Sequence, residues 1–106
     1  MVSEKFPVSE VRAEIEKVIE HTLAGETYQP AKATAWTEEV CNKCLDSVTS
    51  MVPEGCKLTA QCTISGRQAA LHTTSAARWD PDTDDCCTVR WESDNLVVVA
   101  TMFGLY

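Results

Sequence analysis

The chain has 106 residues, 44% of them hydrophobic and 24% charged, and a formal net charge of −7. That length suits one domain with a modest core of its own. The acidity excludes the clustered cationic surface that nucleic-acid phosphates or an anionic membrane leaflet require, and it is compatible with basic peptide partners.

The opening stretch MVSEKFPVSEVRAEIEK carries Glu4, Lys5 and Glu10 and no long apolar run, so no signal peptide is expected. The longest aliphatic run, Leu96-Val97-Val98-Val99-Ala100, is far too short to span a bilayer. A reducing compartment follows. The six cysteines Cys41, Cys44, Cys56, Cys62, Cys86 and Cys87 are therefore expected as thiols packed like small apolar groups, with no native disulfide.

The first helix is predicted from about Ser9 to Leu23, because Val8, Val11, Ile15, Val18 and Ile19 recur at helical spacing. Ser9 is its expected N-cap, and Gly25 stands where a helix would stop. Pro30 and its neighbours read as a linker. The second helix is predicted from near 31–34 to about Val52. Its stripe is Trp36, Val40, Cys44, Val48 and Met51, broadened by Cys41, Leu45 and Val52 and closed by Pro53 and Gly55.

From Lys57 the period changes to two. Leu58, Ala60, Cys62 and Ile64 alternate with polar residues up to Ser65, as in a half-buried strand. Residues 66–69 read as a turn, 71–79 as a strand of mostly small or polar residues, and 80–85 as an acidic loop. In residues 86–92, Cys87, Val89 and Trp91 face one way. Ser93, Asp94 and Asn95 form a turn before a last strand, predicted from Leu96 to Phe103. Two helices followed by four strands place the fold in the α+β class, with an antiparallel sheet.

That last strand is apolar on both faces, which predicts cover on both sides. Two helices would cover only one. The strand 71–79 has little pattern to fix its register, a property of strands that exchange or pair between chains. Both features point to a dimer.

Candidate chemistry is sparse. Cys41-Asn42-Lys43-Cys44 is a CxxC, but it falls inside a helix and has no second ligand pair to complete a zinc site. Cys86 and Cys87 are adjacent in a strand and point to opposite faces. Asp80, Asp82, Asp84 and Asp85 resemble a calcium loop, yet Asp85 stands where glycine is required and Trp91 where the bidentate glutamate belongs. His21 and His72 have no nucleophile in a catalytic context. Trp36, Trp79 and Trp91, on three separate elements, read as core and interface anchors. No catalyst, cofactor or metal site is expected.

The stretches LHT from Leu71, WD from Trp79, CTVRWE from Cys87 and FGL from Phe103, preceded by Tyr28, Gln29, Lys32 and Trp36 in a YQ..K...W pattern, resemble the Tctex-type dynein light chains over nearly the whole chain. The resemblance implies two N-terminal helices packed on a four-stranded antiparallel sheet, in a dimer that exchanges a strand. It implies a non-catalytic light chain that binds dynein intermediate chains by β-augmentation at the dimer seam and holds them together in a microtubule motor. Its partners would be an intermediate chain and a second copy or paralogous light chain, with no nucleic acid and no membrane. Its location would be cytoplasm and cytoskeleton; the chain's departures from the family pattern would suit a specialised motor such as the axonemal dynein of a cilium or flagellum.

The residues expected to bind the partner are His72, Thr73, Thr74, Ser75, Ala76, Ala77 and Arg78. Those expected at the dimer interface are Leu71, Trp79, Val97, Val99 and Phe103. The sequence departs from the family pattern in its glycine-poor turn at 65–70, in Pro81 and Asp85, and in Arg78, which bear on peptide preference. Two other functions compete: a redox- or metal-responsive regulator using Cys41 and Cys44, and a cargo adaptor working without a motor.

Overall fold

The computed structural model describes residues 6–67 and 85–105. Within them the order is α1 (Val8–Leu23), α2 (Pro30–Thr49), β1 (Lys57–Gly66), β2 (Asp85–Glu92) and β3 (Leu96–Leu105). The helices-first, antiparallel α+β architecture is as expected. Three of the four anticipated strands fall within the described residues, in the order β1-β3-β2. The strand expected at 71–79 lies outside them, and so do Leu71, Trp79 and all seven residues of 72–78.

The apolar stripe of α1 is the one the spacing predicts: Val11, Ile15, Val18, Ile19 and Leu23 are buried. Its start is not. Ser9 lies inside the helix and caps nothing; Pro7 is the N-cap, and its carbonyl accepts the first helical bond from Val11 N at 2.9 Å. Hydrophobic burial decides the boundary, since Phe6 is only 3% exposed and anchors the entry. At the other end Gly25 has φ +80, a left-handed conformation that residues with a Cβ rarely adopt.

The second helix begins earlier than expected and ends earlier. Pro30 is its first residue rather than part of a linker. A first-turn N–H would have no helical partner, so proline loses nothing there. The helix stops at Thr49 instead of near Val52. Pro53 disfavours helical geometry in the residue before it. Over the last turn, Thr49 Oγ1 donates to Leu45 O at 2.6 Å and Ser50 Oγ to Ser47 O at 3.2 Å.

The third strand is central, with β1 and β2 antiparallel on either side of it. This explains its composition, because a central strand that is apolar on both faces, Thr101 apart, can bury both. Leu96, Val98, Ala100 and Met102 face the helices and join the core with Val11, Ile15, Ile19, Val40 and Val48. The β1–β3 ladder runs unbroken from Lys57↔Leu105 to Gly66↔Leu96, without a bulge. Gly104 sits beneath the Phe6 ring, and a Cβ there would collide with it. The turn into β3 is held by Ser93, whose Oγ accepts from Asn95 N at 3.2 Å and Leu96 N at 3.0 Å.

Candidate partner-binding surface

The helix-distal face of the sheet carries the expected interface residues of β3. Register places Val97, Val99, Thr101 and Phe103 in a row, flanked by Ser65, Thr63, Gln61 and Thr59 of β1 and by Glu92, Arg90, Thr88 and Cys86 of β2. Val97 is 3% exposed and Val99 5%, yet neither belongs to the core cluster packed with the helices. Phe103 is half-buried. The single polar residue buried in this row, Thr101, shares a hydroxyl hydrogen bond of 3.1 Å with Thr88 across the strands. A buried hydroxyl without such a partner would be costly. Val97, Val99 and Phe103 are thus brought together; whether they touch Leu71 or Trp79 lies outside the described residues.

On the helix side, α1 is tied to β2 by polar bonds. Arg12 Nη1 donates to the Thr88 carbonyl at 2.8 Å, and the Trp91 indole Nε1 donates to Glu20 Oε2 at 2.9 Å. The second of these satisfies the indole, as expected of an anchoring tryptophan. Trp36 is buried in α2, and the Tyr28 ring lies over Gly66, where an added Cβ would meet it at 3.7 Å. The YQ..K...W pattern therefore pins the interhelical link to the end of β1. Gln29 serves through its backbone, its carbonyl accepting from Lys32 N and Ala33 N.

The thiols form a cluster that the sequence did not announce. Cys41 and Cys44 lie on α2, and Cys62 of β1 is close enough to both to feel their charge. Burial is the main cause that pushes Cys62 up to about 12, with Cys41 and Cys44 adding to it. Burial likewise pushes Cys44 up to about 12, with further contributions from Cys41 and Glu14. Cys41 is raised by burial alone. These shifts keep the thiols protonated, the opposite of what a redox or metal-binding pair needs. Among the described residues no group of three or more His, Cys, Asp or Glu converges to hold a metal ion. No described helix is long and apolar enough to cross a membrane.

Sequence reasoning also missed the seam between α2 and β1. Two cavities open along it. One of about 600 Å³ is lined by Leu45, Thr49, Val52, Glu54, Cys56 and Leu58, among others. The other, of about 370 Å³, lies among Thr37, Glu38, Cys41, Asn42, Ala60, Gln61 and Cys62. A signal was present: Cys41 and Leu45 make the α2 stripe wider than one sheet flank can cover, and Val52 follows just beyond the helix.

Residues 5–105 match the model of the Tctex-1 family. The chain is 35% identical over 101 residues to a dynein light chain Tctex-type of Drosophila melanogaster, covering 95% of this chain and 91% of that one. It is 26% identical over 104 residues to a dynein light chain Tctex-type of Dictyostelium discoideum, covering 97% and 94%. To the human dynein light chain Tctex-type 3 it is 27% identical over 103 residues, covering 94% and 86%.

Proposed function

The chain belongs to the Tctex-1 family, and from that membership we propose that it is a non-catalytic dynein light chain, a dimer that binds intermediate chains and holds two of them together. The observation that carries this function is the match over 5–105, together with relatives that bear the name of dynein light chains along nearly their whole length. An extended intermediate-chain segment would add as a strand beside His72, Thr73, Thr74, Ser75, Ala76, Ala77 and Arg78, whose small side chains allow another backbone to come close. Two such sites per dimer would raise the effective concentration of the second segment once the first is bound.

The dimer reading draws on the family membership; Val97 and Val99 form an apolar row separate from the helix-packed core and are already buried within the single chain. Leu71, Trp79 and Phe103 would complete that interface. The partner would be a second copy or a paralogous light chain, and the complex would sit on the cytoskeleton, in cytoplasm or axoneme. A motor-independent adaptor would use the same edge.

Ala76→Glu tests the site. A charged side chain on the edge should lower intermediate-chain peptide affinity more than ~10-fold, as for a buried unpaired charge, while sedimentation still reports a dimer. Wild-type affinity in that variant would move the groove off residues 72–78. A soluble monomer that forms no mixed dimer would overturn strand exchange.

A further inference from the structure

Three features coincide along the α2–β1 seam. The first is a floor that the fold leaves half covered. Leu45, Val52, Leu58, Ala60 and Cys62 are all partly exposed, and they border the two cavities of about 600 and 370 Å³ that follow one another along β1. The second is the edge of β1. Among the described residues its outer side pairs with no strand.

Proteins usually blunt an edge with central charges, proline or a bulge. β1 has none of these over its length: Thr59, Gln61 and Thr63 are neutral and exposed, and the ladder behind them is regular. Its one charge, Lys57, lies at the start of the strand and outside both cavity linings. β2 is the contrast, with Asp85, Arg90 and Glu92 along its length and a carbonyl taken by Arg12. The third feature is charge. Glu54 lines the first cavity and Glu38 the second, and both are exposed.

We propose that the α2–β1 seam is a docking groove for an extended segment of a partner polypeptide with basic residues at its ends, added as a strand to β1. The outer edge of β1, unpaired among the described residues, selects an extended backbone, because the N–H and C=O groups along it repeat at strand spacing. Alternate side chains of the segment then drop onto the half-covered floor, which suits valine, threonine or alanine. The stretch from Cys56 to Cys62 spans roughly 20 Å at strand rise, enough for a segment of about six residues. Basic residues flanking that segment meet Glu54 and Glu38. This goes beyond the intermediate-chain binding proposed at residues 72–78 and uses none of those residues.

The test uses the full chain and a capped synthetic octapeptide that alternates valine and threonine between terminal lysines. Cys41 lines one cavity and Cys56 the other, so their alkylation rates report occupancy. At a peptide concentration ten times its dissociation constant, both thiols should alkylate about tenfold more slowly, as mass action requires. The half-exposed Cys86, on β2, should keep its rate. The double variant Glu38→Lys with Glu54→Lys changes only exposed positions; it should lose that protection and gain it from a glutamate-ended peptide. N-methylation of alternate peptide nitrogens should abolish protection, since it removes the donors that pair with the edge.

Protection that survives N-methylation or ignores the charge swap would overturn the groove, as would no protection at millimolar peptide. Protection that rises with protein concentration alone would assign the seam to a second copy and likewise overturn it. Ala76→Glu should leave protection intact, which separates this site from the intermediate-chain site.

Discussion

Over β2, α1 sets down Val11, Ile15, Val18 and Ile19 against Cys87 and Val89, which are 1% and 2% exposed, and adds the bonds Arg12 to Thr88 and Trp91 to Glu20. Over β1, α2 buries Trp36, Val40, Cys44 and Val48, but the strand beneath keeps Leu58, Ala60, Cys62 and Ile64 half exposed and the seam stays open. No described hydrogen bond or ion pair links an α2 side chain to β1. The two flanks share one central strand and comparable helices, so the difference lies in how far each helix stripe reaches. A flank locked by buried apolar contact and oriented polar bonds resists change. A flank left partly open has surface to spare for a partner.

The largest expected effect is on the thiols of the open flank. At pH 8 a thiol with a pKa of 9.0 is about 10⁻¹ ionised, and one pushed to about 12, as Cys62 is, about 10⁻⁴. Pulsed alkylation read by mass spectrometry should find Cys62 and Cys44 slower by up to about a thousandfold than the same cysteines in urea. The sign for stability follows. These pKa values are raised by folding, so the contribution of the neutral thiols is complete below about 9 and is lost as pH climbs from there towards 12. Urea midpoints should fall over that range; a flat profile would mean the cluster is wetter than its burial implies.

Next comes packing. Ile19→Ala on the closed flank removes a side chain with 0% exposure and should destabilise by about 2–5 kcal/mol. Leu58→Ala on the open flank removes a half-exposed one and should cost only about 1 kcal/mol, roughly half of a full leucine burial. Equal losses in denaturant unfolding would erase the contrast between the flanks.

The smallest effect is polar. Glu20→Ala leaves the Trp91 indole without its acceptor but still near water, and should cost about 0.5–1.5 kcal/mol. Its sharper readout is the fluorescence of Trp91 in a variant with Trp36 and Trp79 replaced by phenylalanine. An unchanged spectrum would show that the bond does not hold α1 to β2.

Periodicity made much of this legible. The α1 stripe, the alternation in β1 and the two-faced apolar character of β3 each follow from side chains that repeat at the spacing of their own element. Boundaries were harder, because they depend on neighbours at a distance. Ser9 has the chemistry of a cap, but burial of Phe6 moves the helix start past it. Pro30 reads as a breaker until it is seen to occupy the first turn.

The thiol cluster could not be foreseen at all. Cys62 belongs to a strand and Cys41 and Cys44 to a helix, and only the packing of α2 on β1 brings them together. For the surface, sequence pattern correctly put Val97, Val99 and Phe103 on one face. It overlooked the α2–β1 seam, because a groove is a property of two elements and neither carries it alone.

The strand at the middle of the described sheet is also the last of the five described elements in chain order. During vectorial synthesis, β1 and β2 therefore leave the ribosome before β3, the one described strand that each of them bonds to. The helices can form early from local contacts, but their apolar stripes lack the central part of their floor, Leu96, Val98, Ala100 and Met102, until residues 96–105 emerge. Pairing Lys57 with Leu105 closes a long loop, the kind of distant contact that slows folding. Until β3 arrives, the described sheet has no central strand and the helix stripes lack the apolar row it supplies, surface that invites non-native contact. Assembly of the described sheet should then wait for the arrival of β3, with chaperone contact concentrated just before it.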